Sequence, residues 1–69
     1  MRDSPHDRRR TILRALSPTT VHSVQALSRL TGVSVITIRR DLAELAHEGL
    51  VTRVHGGALR APRRGAARP

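Results

Sequence analysis

Ile38, Leu42 and Leu45 recur at i, i+4 and i+7 directly after the short segment Thr31-Gly32-Val33-Ser34. That spacing puts three large apolar side chains on one stripe of an α-helix. Ser34 is a favoured N-cap, so the helix is predicted over Val35–Glu48, with Gly49 as its stop. A second helix is expected just before it. Ser23 caps the segment Val24–Thr31, whose inner side carries Val24, Leu27 and Leu30, and Gly32 supplies a left-handed C-terminal residue. Two short helices joined by a tight glycine-containing turn have helix-turn-helix organisation, with Val33 placed to drop into the core between them.

The flanking segments complete one small domain. Ser4 and Pro5 open a first helix expected over Pro5–Leu16, with Asp7 favourable at its positive end and Ile12, Leu13 and Leu16 on one face. Ser17-Pro18 ends it, because proline disfavours a helical residue before it. Thr19–His22 reads as a short extended segment. Leu50–Val54 is a β-branched strand candidate, Gly56-Gly57 can supply the positive φ angles of a hairpin turn, and Ala58–Arg60 is the return strand. Residues 1–60 therefore read as one mainly α domain with three helices and a small β-hairpin. Residues 61–69, built from Pro, Arg, Gly and Ala, read as a disordered basic tail.

Composition narrows the function. The 69 residues carry 13 arginines against 5 acidic residues, a net charge of +8. A domain this basic attracts polyanions, and nucleic acid is the first partner to consider. No apolar run approaches the roughly 20 residues of a membrane-spanning helix, and no apolar signal segment follows the polar stretch Met1–Arg10. The expectation is a soluble, cytoplasmic, nucleoid-associated protein that does not engage membrane. The absence of cysteine excludes disulfides and zinc fingers, and His6, His22, His47 and His55 are too scattered to bind a metal. No cofactor is expected. The absence of aromatic residues removes the stacking platform of most single-strand binders. With no phosphate-binding loop, no nucleophile–base arrangement and no clustered carboxylates, the chain does not read as an enzyme.

The third helix carries the informative surface. With each residue advancing roughly 100°, burial of Ile38, Leu42 and Leu45 turns Ile36 and Arg40 outward, with Thr37 and Arg39 on the flanks. The N-terminal half of such a helix is where base edges are read. Arginine binds guanine in a bidentate manner or clamps a phosphate, threonine bonds a base or a phosphate, and Ile36 suits a thymine methyl. Ser34 and the helix N-terminus can hold a phosphate through backbone amides.

At this point two blocks of sequence resemble a known family. Val33-Ser34-Val35-Ile36-Thr37-Ile38-Arg39-Arg40-Asp41-Leu42, followed by Gly49-Leu50 and Arg53-Val54-His55-Gly56-Gly57-Ala58, is similar to the DeoR-type winged helix-turn-helix. The family pattern is Ser-x-x-Thr-Ile-Arg-Arg-Asp-Leu in the recognition helix and Arg-x-His-Gly-Gly-Ala in the wing. The resemblance covers about Arg9 to Leu59. It departs in the second helix, where Ala26-Leu27-Ser28 replaces the usual Glu-Leu-Ala, and at Val35, where a polar residue or proline is usual. It implies a winged helix-turn-helix that binds double-stranded DNA in transcriptional regulation, chiefly repression of sugar or nucleoside catabolism. It implies no effector site in this chain, since the family places that site in a much larger C-terminal domain.

The expected DNA contacts are Ser34, Ile36, Thr37, Arg39, Arg40, Arg53, His55 and Gly56. Arg39 and Arg40 have an ordinary reading as a solvated charged face, and Gly56-Gly57 as a plain hairpin tip. Asp41 facing DNA phosphates would repel them, so it is expected to brace the helix by pairing with Arg14 or Arg53. Arg8-Arg9-Arg10 reads as a solvated face with non-specific phosphate contacts. Arg60, Arg63, Arg64 and Arg68 read as arms that track a DNA backbone. Two other classes share these features, a protein-interaction winged helix and a structured-RNA binder. A homodimer is compatible with the sequence, though nothing in it indicates one.

Overall fold

A computed structural model describes residues 4–62. The elements run α1 (Pro5–Ala15), β1 (His22–Ser23), α2 (Val24–Thr31), α3 (Val35–His47), β2 (Val51–Val54) and β3 (Gly57–Arg60). This is the expected winged helix-turn-helix, three helices with an antiparallel hairpin. The short segment before α2 pairs with the return strand of the hairpin, giving a three-stranded antiparallel sheet in the order β1-β3-β2.

Each helix starts where a serine side chain replaces a missing backbone partner. Ser4, Ser23 and Ser34 accept from the amides of Asp7, Ala26 and Thr37 at 3.1, 3.0 and 3.1 Å. Removing such a cap costs about 1 kcal/mol. The ends are equally specified. Gly32 closes α2 at φ 79°, and Gly49 follows α3 at φ 80°. Beyond α3, Gly49 N–H bonds to the Ala46 carbonyl and Leu50 N–H to that of Leu45, the paired arrangement of a Schellman motif. Glu48, expected as the last helical residue, is the cap of α3.

The core joins Ile12 and Leu16 of the α1 region, Val24 and Leu27 of α2, Ile38, Leu42 and Leu45 of α3, and Val51 and Ala58 of the sheet. Val33 packs against it from the turn, half-buried. Leu30 does not join it and stands 55% exposed. Successive i, i+3 positions drift about 60° around a helix. With Val24 and Leu27 both buried, the third member of the series has already rotated into solvent.

The hairpin turn sits one residue earlier than expected. Val54 pairs with Gly57, so His55 and Gly56 form the loop. Gly56 alone takes positive φ there, at 77°. Gly57 belongs to β3 and is needed for a different reason: a Cβ on it would lie 2.3 Å from the carbonyl oxygen of His22. The close approach of β1, not turn geometry, excludes a side chain here. Val24 N–H also bonds to the Gly56 carbonyl at 3.0 Å, tying the wing tip to the start of α2.

Arg60 is a structural staple, not the free backbone-tracking arm that its place in a basic stretch suggests. Its amide bonds to the Ser17 carbonyl, and its guanidinium donates to the Leu13 carbonyl at 2.9 Å, satisfying one of the orphaned acceptors in the last turn of α1. Ala61 N–H still bonds to Leu50. Arg63, Arg64 and Arg68, with the rest of residues 63–69 of the expected tail, lie outside the described residues.

Candidate nucleic-acid interface

α3 turns its first two turns outward between the helix-turn-helix corner and the wing. Ser34, Ile36, Arg39 and Arg40 are exposed, and Ile36 is the most exposed large apolar residue described, at 68%. Thr37 is half-buried. Its amide donates to Ser34 Oγ, and the two hydroxyls lie 3.1 Å apart, so Ser34 and Thr37 act as one capped unit.

The wing brings its own residues to the same side. Arg39 of α3 and Arg53, His55 and Gly56 of the wing line one open cleft of about 360 Å³, with Val24 beneath. Two arginines 14 positions apart in the chain thus line a common space. Of the eight expected contacts, four meet in this cleft. Ser34, Ile36, Thr37 and Arg40 continue the surface along α3 outside it.

Charge is sorted across α3. Arg39, Arg40 and Arg53 make no ion pair among the described residues. Two carboxylates of the helix, Asp41 and Glu44, pair instead with arginines of α1. Asp41, 2% exposed, accepts from Arg8 Nε at 2.5 Å and Arg8 Nη2 at 3.0 Å. Arg9 Nε lies 3.7 Å from Asp41, and Arg9 Nη2 donates to Glu44 at 2.7 Å. Asp41 does brace the recognition helix against another element, but its partners are Arg8 and Arg9 rather than Arg14 or Arg53. Arg8 and Arg9 precede buried Ile12 by four and three positions, so they extend the inner stripe of α1 onto α3. Arg14 lies about 200° from Ile12, on the outer side, and Arg53 faces the wing cleft. Of the Arg8-Arg9-Arg10 run, only Arg10 is the solvated residue expected. The signal for the other two was the i−4 and i−3 spacing to Ile12.

An outward helix with arginines free of ion pairs, a glycine-tipped wing beside it, and Asp41 and Glu44 neutralised by α1 make a surface suited to a polyanionic duplex. Residues 8–64 match the model of the DeoR-like helix-turn-helix domain. The chain belongs to that family. As a DeoR-like helix-turn-helix it is a DNA-binding domain of transcriptional regulators, a binding module rather than an enzyme. It is 47% identical over 55 residues to the HTH-type transcriptional regulator GlpR of Haloferax volcanii, covering 80% of this chain and 22% of that protein. It is 54% identical over 37 residues to the L-fucose operon activator of Haemophilus influenzae, covering 54% of this chain and 15% of that protein. It is 62% identical over 26 residues to the lactose phosphotransferase system repressor of Staphylococcus epidermidis, covering 38% of this chain and 10% of that protein. The chain thus spans about a fifth of the length of the first of these regulators and less of the other two. No solved structure gives a match. Among the described residues no helix is long and apolar enough to cross a membrane.

Proposed function

We propose that this DeoR-like domain reads duplex DNA with α3 in the major groove and the wing on the adjacent backbone, at the nucleoid, within a regulator that represses sugar or nucleoside catabolic genes. The observation that carries the reading is the convergence of unpaired Arg39 and Arg53 on one cleft, with unpaired Arg40 beside it.

Each contact has a role that follows from its chemistry. Arg40 and Arg39 are the base-reading and phosphate-clamping candidates, since a guanidinium matches both guanine and phosphate in a bidentate way. Ile36 offers the only large apolar contact of the first turn of α3. Ser34 and Thr37 hold the start of the helix, where backbone amides meet phosphate. Arg53 and His55 are the phosphate contacts of the wing, and Gly56 lets its backbone come close. Sugar-linked regulation is supported by the names of two relatives, one an L-fucose operon activator and one a lactose phosphotransferase system repressor.

The test is selection of random duplex DNA on the purified chain, followed by titration in competition with structured RNA. Enrichment of a short motif that RNA displaces poorly supports the proposal. Equal displacement by RNA, with no motif enriched, contradicts it.

A further inference from the structure

Arg40 and Glu44 stand four residues apart on α3, the spacing at which opposite charges meet on a helix surface. On an isolated α3, Glu44 would be the nearest partner for Arg40. The fold gives Glu44 another one. Arg9 of α1 donates to Glu44 Oε1 at 2.7 Å, while Arg40 is exposed and makes no ion pair among the described residues. The same Arg9 lies 3.7 Å from Asp41. One arginine of α1 therefore faces both carboxylates in the middle of the recognition helix.

We propose that Arg9 is a positioning residue for DNA readout: by holding Glu44 on the α1 side, it keeps the Arg40 guanidinium free to engage DNA. The inference rests on Arg40 being a DNA contact. Two effects act in the same direction. Arg9 removes a competitor for Arg40, and it neutralises a carboxylate that would otherwise repel the phosphate backbone. The Arg9–Glu44 pair is partly exposed, with side chains at 30% and 52%. An exposed pair is worth about 0.2–1 kcal/mol, so its effect on affinity is about 1.4- to fivefold.

The experiment is a double-mutant cycle on the tightest duplex that the wild-type chain enriches from random DNA. Arg9→Gln is expected to weaken binding about 1.4- to fivefold. Glu44→Gln should bind at least as tightly as wild type. Arg9→Gln/Glu44→Gln should return to the affinity of Glu44→Gln, because the competing carboxylate is gone. In an Arg40→Ala background, Arg9→Gln should cost less than it does in the wild type, because only the repulsion of phosphate by Glu44 remains. Arg9→Lys keeps a cation at Glu44 and should retain most of the affinity. Circular dichroism confirms that each variant is folded at the binding temperature. A loss in Arg9→Gln that persists unchanged in Arg9→Gln/Glu44→Gln would show that Arg9 contacts phosphate itself, and would overturn the proposal, as would no loss in Arg9→Gln. Failure of the wild-type chain to enrich any duplex is a different result, and it would overturn the DNA reading of Arg40.

Discussion

Asp41 of the recognition helix accepts two hydrogen bonds from the guanidinium of Arg8, a residue 33 positions earlier in the chain. A carboxylate as buried as this one, at 2% exposure, is costly unless paired. The bidentate geometry fixes α1 against the rear of α3, and with it the direction in which Ile36, Arg39 and Arg40 point.

Breaking that pair should be among the most damaging single changes in the domain. Asp41→Ala removes the buried carboxylate that Arg8 binds in a bidentate manner, and Arg8→Ala leaves that carboxylate with less compensation. Each is expected to cost about 3–5 kcal/mol, measured by urea denaturation. Replacing both partners, as in Arg8→Met/Asp41→Leu, should cost less than either alanine variant, because the desolvation penalty disappears with the charges. Additive losses would show that the pair has no special coupling.

The two wing glycines should respond in the opposite order to that suggested by turn geometry alone. Gly56 has positive φ but open space around it, so Gly56→Ala is expected to lose about 1–2 kcal/mol from left-handed strain. Gly57 is blocked by the His22 carbonyl. Gly57→Ala must separate β1 from β3 and should lower the melting temperature further than Gly56→Ala does. Equal melting temperatures would contradict the close approach.

Ile36 should matter for binding and not for folding. Its side chain is 68% exposed, so Ile36→Ala is expected to change stability by less than about 0.5 kcal/mol. If it packs on a thymine methyl, replacing that thymine by uracil weakens wild-type binding but leaves the Ile36→Ala variant unaffected. Equal sensitivity of both proteins to uracil would remove Ile36 from base readout.

Most of the framework is legible in the amino-acid sequence because local chemistry specifies it. Serine caps, glycine stops and the Ile38-Leu42-Leu45 stripe act within a few residues, so the helices fall where those signals stand. The features that the sequence does not display are set by packing between distant segments. Asp41 needs an arginine behind it, but which one depends on the angle at which α1 crosses α3. Gly57 reads as a turn residue, because the strand that crowds it, at His22, lies 35 positions earlier in the chain. Arg60 reads as part of a tail, because the Leu13 carbonyl that it caps is 47 positions away in sequence. The candidate site is legible for a related reason: Arg39, Arg40 and Ile36 are turned outward by the same helical period that buries Ile38 and Leu42.

The central claim is that α3 reads sequence, and Arg40 is its most direct test. The affinities of wild type and Arg40→Ala should be compared on the enriched duplex and on a scrambled duplex of the same length, at several salt concentrations. Loss of about 1–3 kcal/mol on the enriched duplex, with little change on the scrambled one, is the predicted result. Equal loss on both would make Arg40 a backbone contact and contradict its role as a base reader.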